Sequence, residues 1–235
     1  DHNLGIKLDE VDLNQLIANL NDIKSRFLNN VNFKSEFKIS PELKVYDNHP
    51  DFGFCEYSDI HLRLTNFELL ESQFNFFVNN IQIEKLAKSY LGENAKLISK
   101  YIDYKFSPNN IGSFQLEQLP HCDNWKRRFK VFLFLTDVNN EEGPFCYLKN
   151  SHQNSNWRDE YDYDYYLSEL DKNRNTSYYN ILPSYYNKII EKNKYELFIG
   201  RCSKGTLIFA DTYGIHFAAP LYKGQRIVLV QNYGL

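Results

Sequence analysis

The chain contains no methionine, and its four cysteines, Cys55, Cys122, Cys146 and Cys202, form neither a Cys-x-x-Cys pair nor a dense framework. Thiols scattered in this way exclude a disulfide scaffold and fit free, partly buried side chains in a reducing compartment. No apolar run approaches membrane-spanning length, and the first residues carry no basic-plus-apolar signal segment, so a cytoplasmic protein is expected. Asp rather than Met at position 1 reads as a numbering that begins inside a longer or processed chain. Charge of one sign is missing too: a formal net charge of −3 leaves no electrostatic footprint for nucleic acid or an anionic membrane surface. Internal repeats and low-complexity linkers are absent as well.

What is present is apolar and aromatic. With 43% hydrophobic and 16% aromatic residues over 235 positions, the chain can bury a sizeable core as a single domain. Leu13, Leu16, Ile17, Leu20, Ile23 and Phe27 recur at three- and four-residue spacing, the pattern of an amphipathic helix laid on a core. Residues 30–65, with Pro41, Pro50 and Gly53, read as short strands and loops. Helical spacing returns through Phe67, Leu70, Phe74 and Phe77, and again through Ile83, Leu86, Ala87 and Leu91, where Gly92 stops it. Residues 1–92 are therefore expected to form a helical flank with outer strands.

After Gly92 the texture changes. Segments 96–106, 112–120, 128–136, 144–149, 205–210, 214–219 and 225–233 read as strands separated by Gly, Pro or Asn-rich turns. Many short strands predict a mainly β protein with flanking helices, its core (93–235) a jelly-roll or cupin-like double-stranded β-helix. A polar, Tyr-rich insertion at about 153–199, with a helix near Tyr185–Glu191, interrupts it; insertions of this length are often lids or binding loops.

The chemistry-bearing feature is His121-Cys122-Asp123. On a strand, alternation sends the imidazole and the carboxylate to one face and Cys122 to the other. One carboxylate with imidazoles suits Fe(II), and a histidine from a distant strand, such as His216, would complete a facial triad that leaves coordination positions open. A lone His-x-Asp is usually a chance surface pair, and a lone histidine is as often satisfied in a turn, so context has to decide. Arg226 follows His216 across a Lys223-Gly224 turn, and a hairpin there could bring its guanidinium back toward the same pocket. Gln115 and Gln118 on the 112–120 segment could point into the same pocket, and of the two Gln115 is kept as a minor cofactor-binding candidate beside Arg226. Asp137 and Asp211 are expected to fix turns through backbone hydrogen bonds. Trp125 and Trp157 are either core or pocket walls, and Tyr161, Tyr163, Tyr165 and Tyr166 fit a solvated loop or a substrate mouth.

The context is the run Lys130-Val131-Phe132-Leu133-Phe134-Leu135-Thr136-Asp137-Val138, then Gly143-Pro144 and Ser151-His152, later Gly205-Thr206-Leu207-Ile208-Phe209-Ala210-Asp211-Thr212, Gly214-Ile215-His216 and Arg226. In this order the motifs closely resemble the phytanoyl-CoA dioxygenase-like branch of Fe(II)/2-oxoglutarate oxygenases over more than half the chain. The resemblance implies Fe(II) on His121, Asp123 and His216, with 2-oxoglutarate chelating it and Arg226 holding the distal carboxylate. O2 is the other co-substrate, and hydroxylation of an unactivated C–H bond of a small molecule, releasing succinate and CO2, is the implied reaction. Retention of Asp123 argues against the halogenating variant. Two departures stand out: Asn150 occupies the place of a glycine before Ser-His, and Phe217-Ala218 follows the distal histidine where relatives often carry small or polar residues. Asn tolerates positive φ, so the turn survives. The rival reading is a metal- or ligand-binding β-helix without turnover. A cupin-type isomerase would want a cluster of closely spaced histidines that this sequence lacks.

Overall fold

The computed structural model describes residues 14–15, 17–18, 21–22, 44–49, 53–58, 61–64, 75–106, 119–123, 127–152, 157–158, 179–180 and 183–235. Gln115, Gln118, Trp125 and the insertion tyrosines 161, 163, 165 and 166 lie outside these residues. The strands are β1 (Lys44–His49), β2 (Gly53–Ser58), β3 (His61–Leu64), β4 (Lys96–Phe106), β5 (His121–Cys122), β6 (Phe129–Phe134), β7 (Phe145–Leu148), β8 (Tyr179–Asn180), β9 (Leu197–Gly200), β10 (Leu207–Asp211), β11 (His216–Ala218) and β12 (Gln225–Gly234). They form an antiparallel seven-stranded sheet, β1-β2-β3-β4-β12-β6-β10, and an antiparallel five-stranded sheet, β8-β5-β11-β7-β9. Phe134, Val228, Val230 and Ala210 of the larger sheet pack on Phe145 and Tyr147 of the smaller, closing the two layers over one interior.

The larger sheet is covered on its other face as well, so β12 is buried almost without a break rather than at alternate positions. Outward-facing Ile102, Val131, Leu133, Ile227 and Leu229 are buried there, as are Ile83 and Ala87 of the helix α2 (Ile81–Leu91). Gln231 ties this face to α1 (Asn75–Val78), donating to the carbonyls of Phe77 and Val78 at 2.9 and 3.1 Å. The N-terminus of α2 is capped by the side chain of Asn80, which accepts from the backbone of Gln82 and Ile83, and Gly92 at φ 112° ends the helix. Residues 14–15, 17–18 and 21–22 are helical, in keeping with the periodicity that begins at Leu13.

Strand boundaries differ from expectation at a proline and at a turn. Pro144 has no N–H to give, so β7 starts at Phe145, while the Pro144 carbonyl accepts from Ala219 at 2.9 Å. Lys204 and Gly205 form a turn closed by the Thr206 amide on Ser203 O at 3.2 Å, so β10 starts at Leu207 and reaches Asp211. The segment expected to be an insertion is partly sheet: β8 pairs with β5, and β9 pairs with β7, so it supplies both edges of the smaller sheet. Its helix, α3 (Pro183–Asn193), opens on a proline at the first helical position, where no amide partner is needed.

Candidate metal centre

His121 on β5 and His216 on β11 stand directly opposite each other in register, with ring centroids 4.4 Å apart. Asp123 follows one residue after β5, its amide donating to Thr212 O at 3.1 Å, which ties the His-x-Asp segment to the turn before His216. Gly214 in that turn lies against Tyr147 and Ser151, so closely that a Cβ there would collide with both. Alternation places Cys122 on the far side, in a cluster with Leu148, Trp157, Ile189 and Ile215. Trp157 thus belongs to the core.

One nitrogen or oxygen from each of His121, Asp123 and His216 lies within 4.8 Å of the others. Asp123 Oδ1 is 3.9 Å from His121 Nε2 and 3.6 Å from His216 Nε2, distances too long for hydrogen bonds and suited to a shared cation. Each imidazole has its other nitrogen anchored: Nδ1 of His121 meets Leu119 O at 2.8 Å, and Nδ1 of His216 meets Gly214 O at 3.0 Å. A carbonyl accepts only from N–H, so Nδ1 carries the proton and the Nε2 lone pair faces the centre. Burial, aided by His216 alongside, pushes the His121 pKa down to about 3, so the ring is neutral as a ligand must be. Burial alone would raise the Asp123 carboxyl, but the Lys130 ammonium, 2.7 Å from Oδ2, and His216 outweigh it and hold the group well below the usual carboxylate range. Two imidazole nitrogens and one ionised carboxylate are a donor set that fits Fe(II).

The triad opens into a cavity of about 90 Å³ between the sheets. Inward-facing residues of β4, β6 and β12 line it: Tyr101, Asp103 and Lys105; Lys130, Phe132 and Phe134; Arg226, Val228 and Val230. Phe217 and Ala218, the departure noted after the distal histidine, line it too. Arg226 is buried, with Nη1 donating to Gly143 O, and Nε has no partner among the described residues. Lys105 stands opposite it in register, and burial, then the neighbouring guanidinium, drives its pKa well below the usual lysine range. Arg63 on β3 grips Asp103 through two bonds of 2.7 and 2.9 Å and lies over the Tyr101 ring.

No protein-family model matches the chain, and no curated protein sequence matches it. Solved structures do match. HygX from Streptomyces hygroscopicus, with nickel, 2-oxoglutarate and hygromycin B bound, aligns with a TM-score of 0.54 at 12% identity, over 97% of this chain and 79% of its own. The epimerase SnoN, in complex with Fe3+, alpha ketoglutarate and nogalamycin RO, gives 0.59 at 12% identity, over 97% and 75%. The non-haem alpha ketoglutarate-dependent carbocyclase SnoK from nogalamycin biosynthesis gives 0.56 at 13% identity, over 97% and 76%. The chain has the jelly-roll fold of these enzymes.

Of the residues singled out in the sequence, His121, Asp123, His216 and Arg226 meet in one cavity. His152 stands apart from the triad, its Nδ1 3.1 Å from the Tyr147 hydroxyl. Asp137 accepts from the Lys204 amide at 2.8 Å, and Asp211 from the Tyr213 amide at 3.0 Å, as turn-fixing groups do. Sequence reading passed over Arg63, Asp103, Lys105 and the inward role of Lys130. Charges spaced two apart on a strand with aromatic neighbours, Tyr101-x-Asp103-x-Lys105, were the available signal. Among the described residues no helix is long and apolar enough to cross a membrane.

Proposed function

We propose that the protein is an Fe(II)/2-oxoglutarate-dependent oxygenase that hydroxylates an unactivated C–H bond of a small molecule. The observation that carries this reading is the convergence of two Nε2 atoms and one carboxylate oxygen within 4.8 Å, at a cavity that also holds the buried Arg226. Metal, 2-oxoglutarate and O2 together supply the oxidising power, with succinate and CO2 as by-products. The chain supplies the rest. His121, Asp123 and His216 would hold the metal and leave coordination positions for the co-substrate. Arg226, already desolvated, presents a planar fork that suits the distal carboxylate of 2-oxoglutarate. Phe132, Phe134, Phe145, Val228 and Val230 exclude water from the cavity. The free thiols of Cys122, Cys146 and Cys202 support a reducing, intracellular setting.

The test is anaerobic titration of the Fe(II)-loaded protein with 2-oxoglutarate, following the weak visible charge-transfer band of a chelated keto acid. The band is expected for the wild type and not for His216→Ala. Metal occupancy without a band would leave a metal-binding β-helix without oxygenase chemistry.

A further inference from the structure

The two oxygens of Asp123 face different partners. Oδ1 is the one nearest both imidazoles, at 3.9 and 3.6 Å, whereas Oδ2 lies 2.7 Å from Lys130 Nζ. Both side chains are nearly buried, at 11% exposure for Lys130 and 10% for Asp123. Among the described residues Oδ2 accepts no aligned hydrogen bond, so its contact with Lys130 is an ion pair. Lys130 projects from β6 in register with Ala210 and Asn232, on the same inward face as Phe132 and Phe134. An ammonium at such a position is costly to desolvate, and apolar neighbours on the strand show that a hydrophobic side chain would fit there at no such cost.

We propose that Lys130 is a positioning residue that restricts Asp123 to one-oxygen ligation. The inference rests on the metal-site reading above. Two imidazoles and one carboxylate oxygen occupy half of an octahedral shell, and a keto acid chelating through two atoms takes two of the remaining three positions. A carboxylate bound through both oxygens would remove the last one. By holding Oδ2 away from the centre, Lys130 keeps that position free. The geometry also keeps the ammonium on the far side of the carboxylate, where the anion screens it from the cation.

The decisive measurement is the crystal structure of the wild-type protein with Mn(II), joined to the count of Mn(II)-coordinated waters by water-proton relaxation for wild type, Lys130→Met, Lys130→Arg and His216→Ala. The expected wild-type structure has Oδ1 on the ion and Oδ2 still on Lys130. Lys130→Met should bind Mn(II) at least as tightly as wild type but with one water fewer, because the second Asp123 oxygen takes that position. Lys130→Arg should restore the wild-type water count. A lysine that merely props the strand would weaken Mn(II) binding without changing the water number, and that result overturns the proposal. So does a wild-type structure with both Asp123 oxygens on the ion, a test that stands even if Lys130→Met does not fold. Wild-type Mn(II) binding no better than that of His216→Ala would instead overturn the metal site itself.

Discussion

Two aspartates border the turn that leads to the distal histidine, Asp211 opening it and Asp123 bonded to it through its amide, and they are treated in opposite ways. Asp211 is saturated: Oδ2 accepts from the Tyr90 hydroxyl at 2.8 Å and Arg127 Nε at 3.1 Å, and Oδ1 from the amides of Tyr213 and Arg128 at 3.0 and 3.4 Å. Asp123 is nearly as buried, yet among the described residues its Oδ1 meets only two imidazole nitrogens beyond hydrogen-bond range, and its Oδ2 meets an ammonium. A buried carboxylate normally collects donors until its lone pairs are filled. One that keeps an oxygen turned toward two lone pairs is arranged for a cation. The backbone joins the two sites, since Asp123 N donates to Thr212 O and Thr212 N donates to Arg128 O. Asp211 therefore builds the turn, and Asp123 uses it.

Exchanging the two residues for alanine should separate the roles. Asp123→Ala is expected to weaken Mn(II) or Fe(II) binding at least a hundredfold and abolish turnover, with far-ultraviolet circular dichroism unchanged; a metal titration checks it. Arg226→Ala should leave metal affinity within a factor of about three while weakening 2-oxoglutarate binding by roughly 2–4 kcal/mol, because a bidentate charged contact is lost. Wild-type behaviour of this variant at limiting 2-oxoglutarate would remove Arg226 from the co-substrate site. Asp211→Ala should do the reverse of Asp123→Ala. Loss of four donors' partner is expected to cost roughly 2–3 kcal/mol of stability, a Tm drop of about 5–10 °C for a chain of this length. Its metal affinity should change far less. If Asp211→Ala lost metal as completely as Asp123→Ala while staying folded, the distinction between the two aspartates would fail.

Acid should sharpen the contrast in the metal-free protein. The His121 pKa is lowered from 6.5 to about 3, so the unfolded chain binds the proton first. The neutral ring's contribution to stability is complete above pH 6.5 and is lost as pH falls toward 3. The Asp123 carboxyl is also lowered, but its contribution is lost only below its ordinary range near 3.8. Denaturant unfolding without metal should therefore show stability declining between pH 6.5 and 4, a slope that His121→Gln reduces. A residual slope from His152, whose pKa burial also lowers, should survive that substitution.

These sites were unequally legible in the sequence. His121 and Asp123 are neighbours on one strand, so alternation alone put them together; His216 needed the order of motifs, because nothing in chain spacing says that β11 will pair with β5. The helix α2 was readable from its apolar period and its terminal glycine, although Leu86, counted on the buried face, is 38% exposed. Lys130 looked like the polar start of a strand. Its partner is fixed by a contact between two strands across the sandwich, and single-strand patterns hold no record of which oxygen of a carboxylate a lysine will reach. Arg63 and Asp103 were hidden for the same reason, since their pairing depends on the β3–β4 register. The saturation of Asp211 depends on Tyr90 and Arg127, both far from it along the chain.

The smallest effect lies in the turn that supports this arrangement from below. Asn150 adopts φ 65°, as its tolerance of the left-handed region led us to expect, and the next residue, Ser151, accepts from the Ile215 amide at 2.8 Å beside the distal histidine. Asn150→Gly removes the steric cost at this φ but adds freedom to the unfolded chain, so the two effects should nearly cancel, within about 0.5 kcal/mol. Asn150→Ala keeps the Cβ and loses the local polar compensation, and it is expected to cost about 1 kcal/mol. Both follow from denaturant unfolding of the variants. Neither should alter metal affinity, because the backbone carbonyl that orients His216 belongs to Gly214, on the other side of the Ser151 bond. A metal-binding defect in Asn150→Ala of the size seen for a ligand would mean that the turn is part of the centre rather than its support.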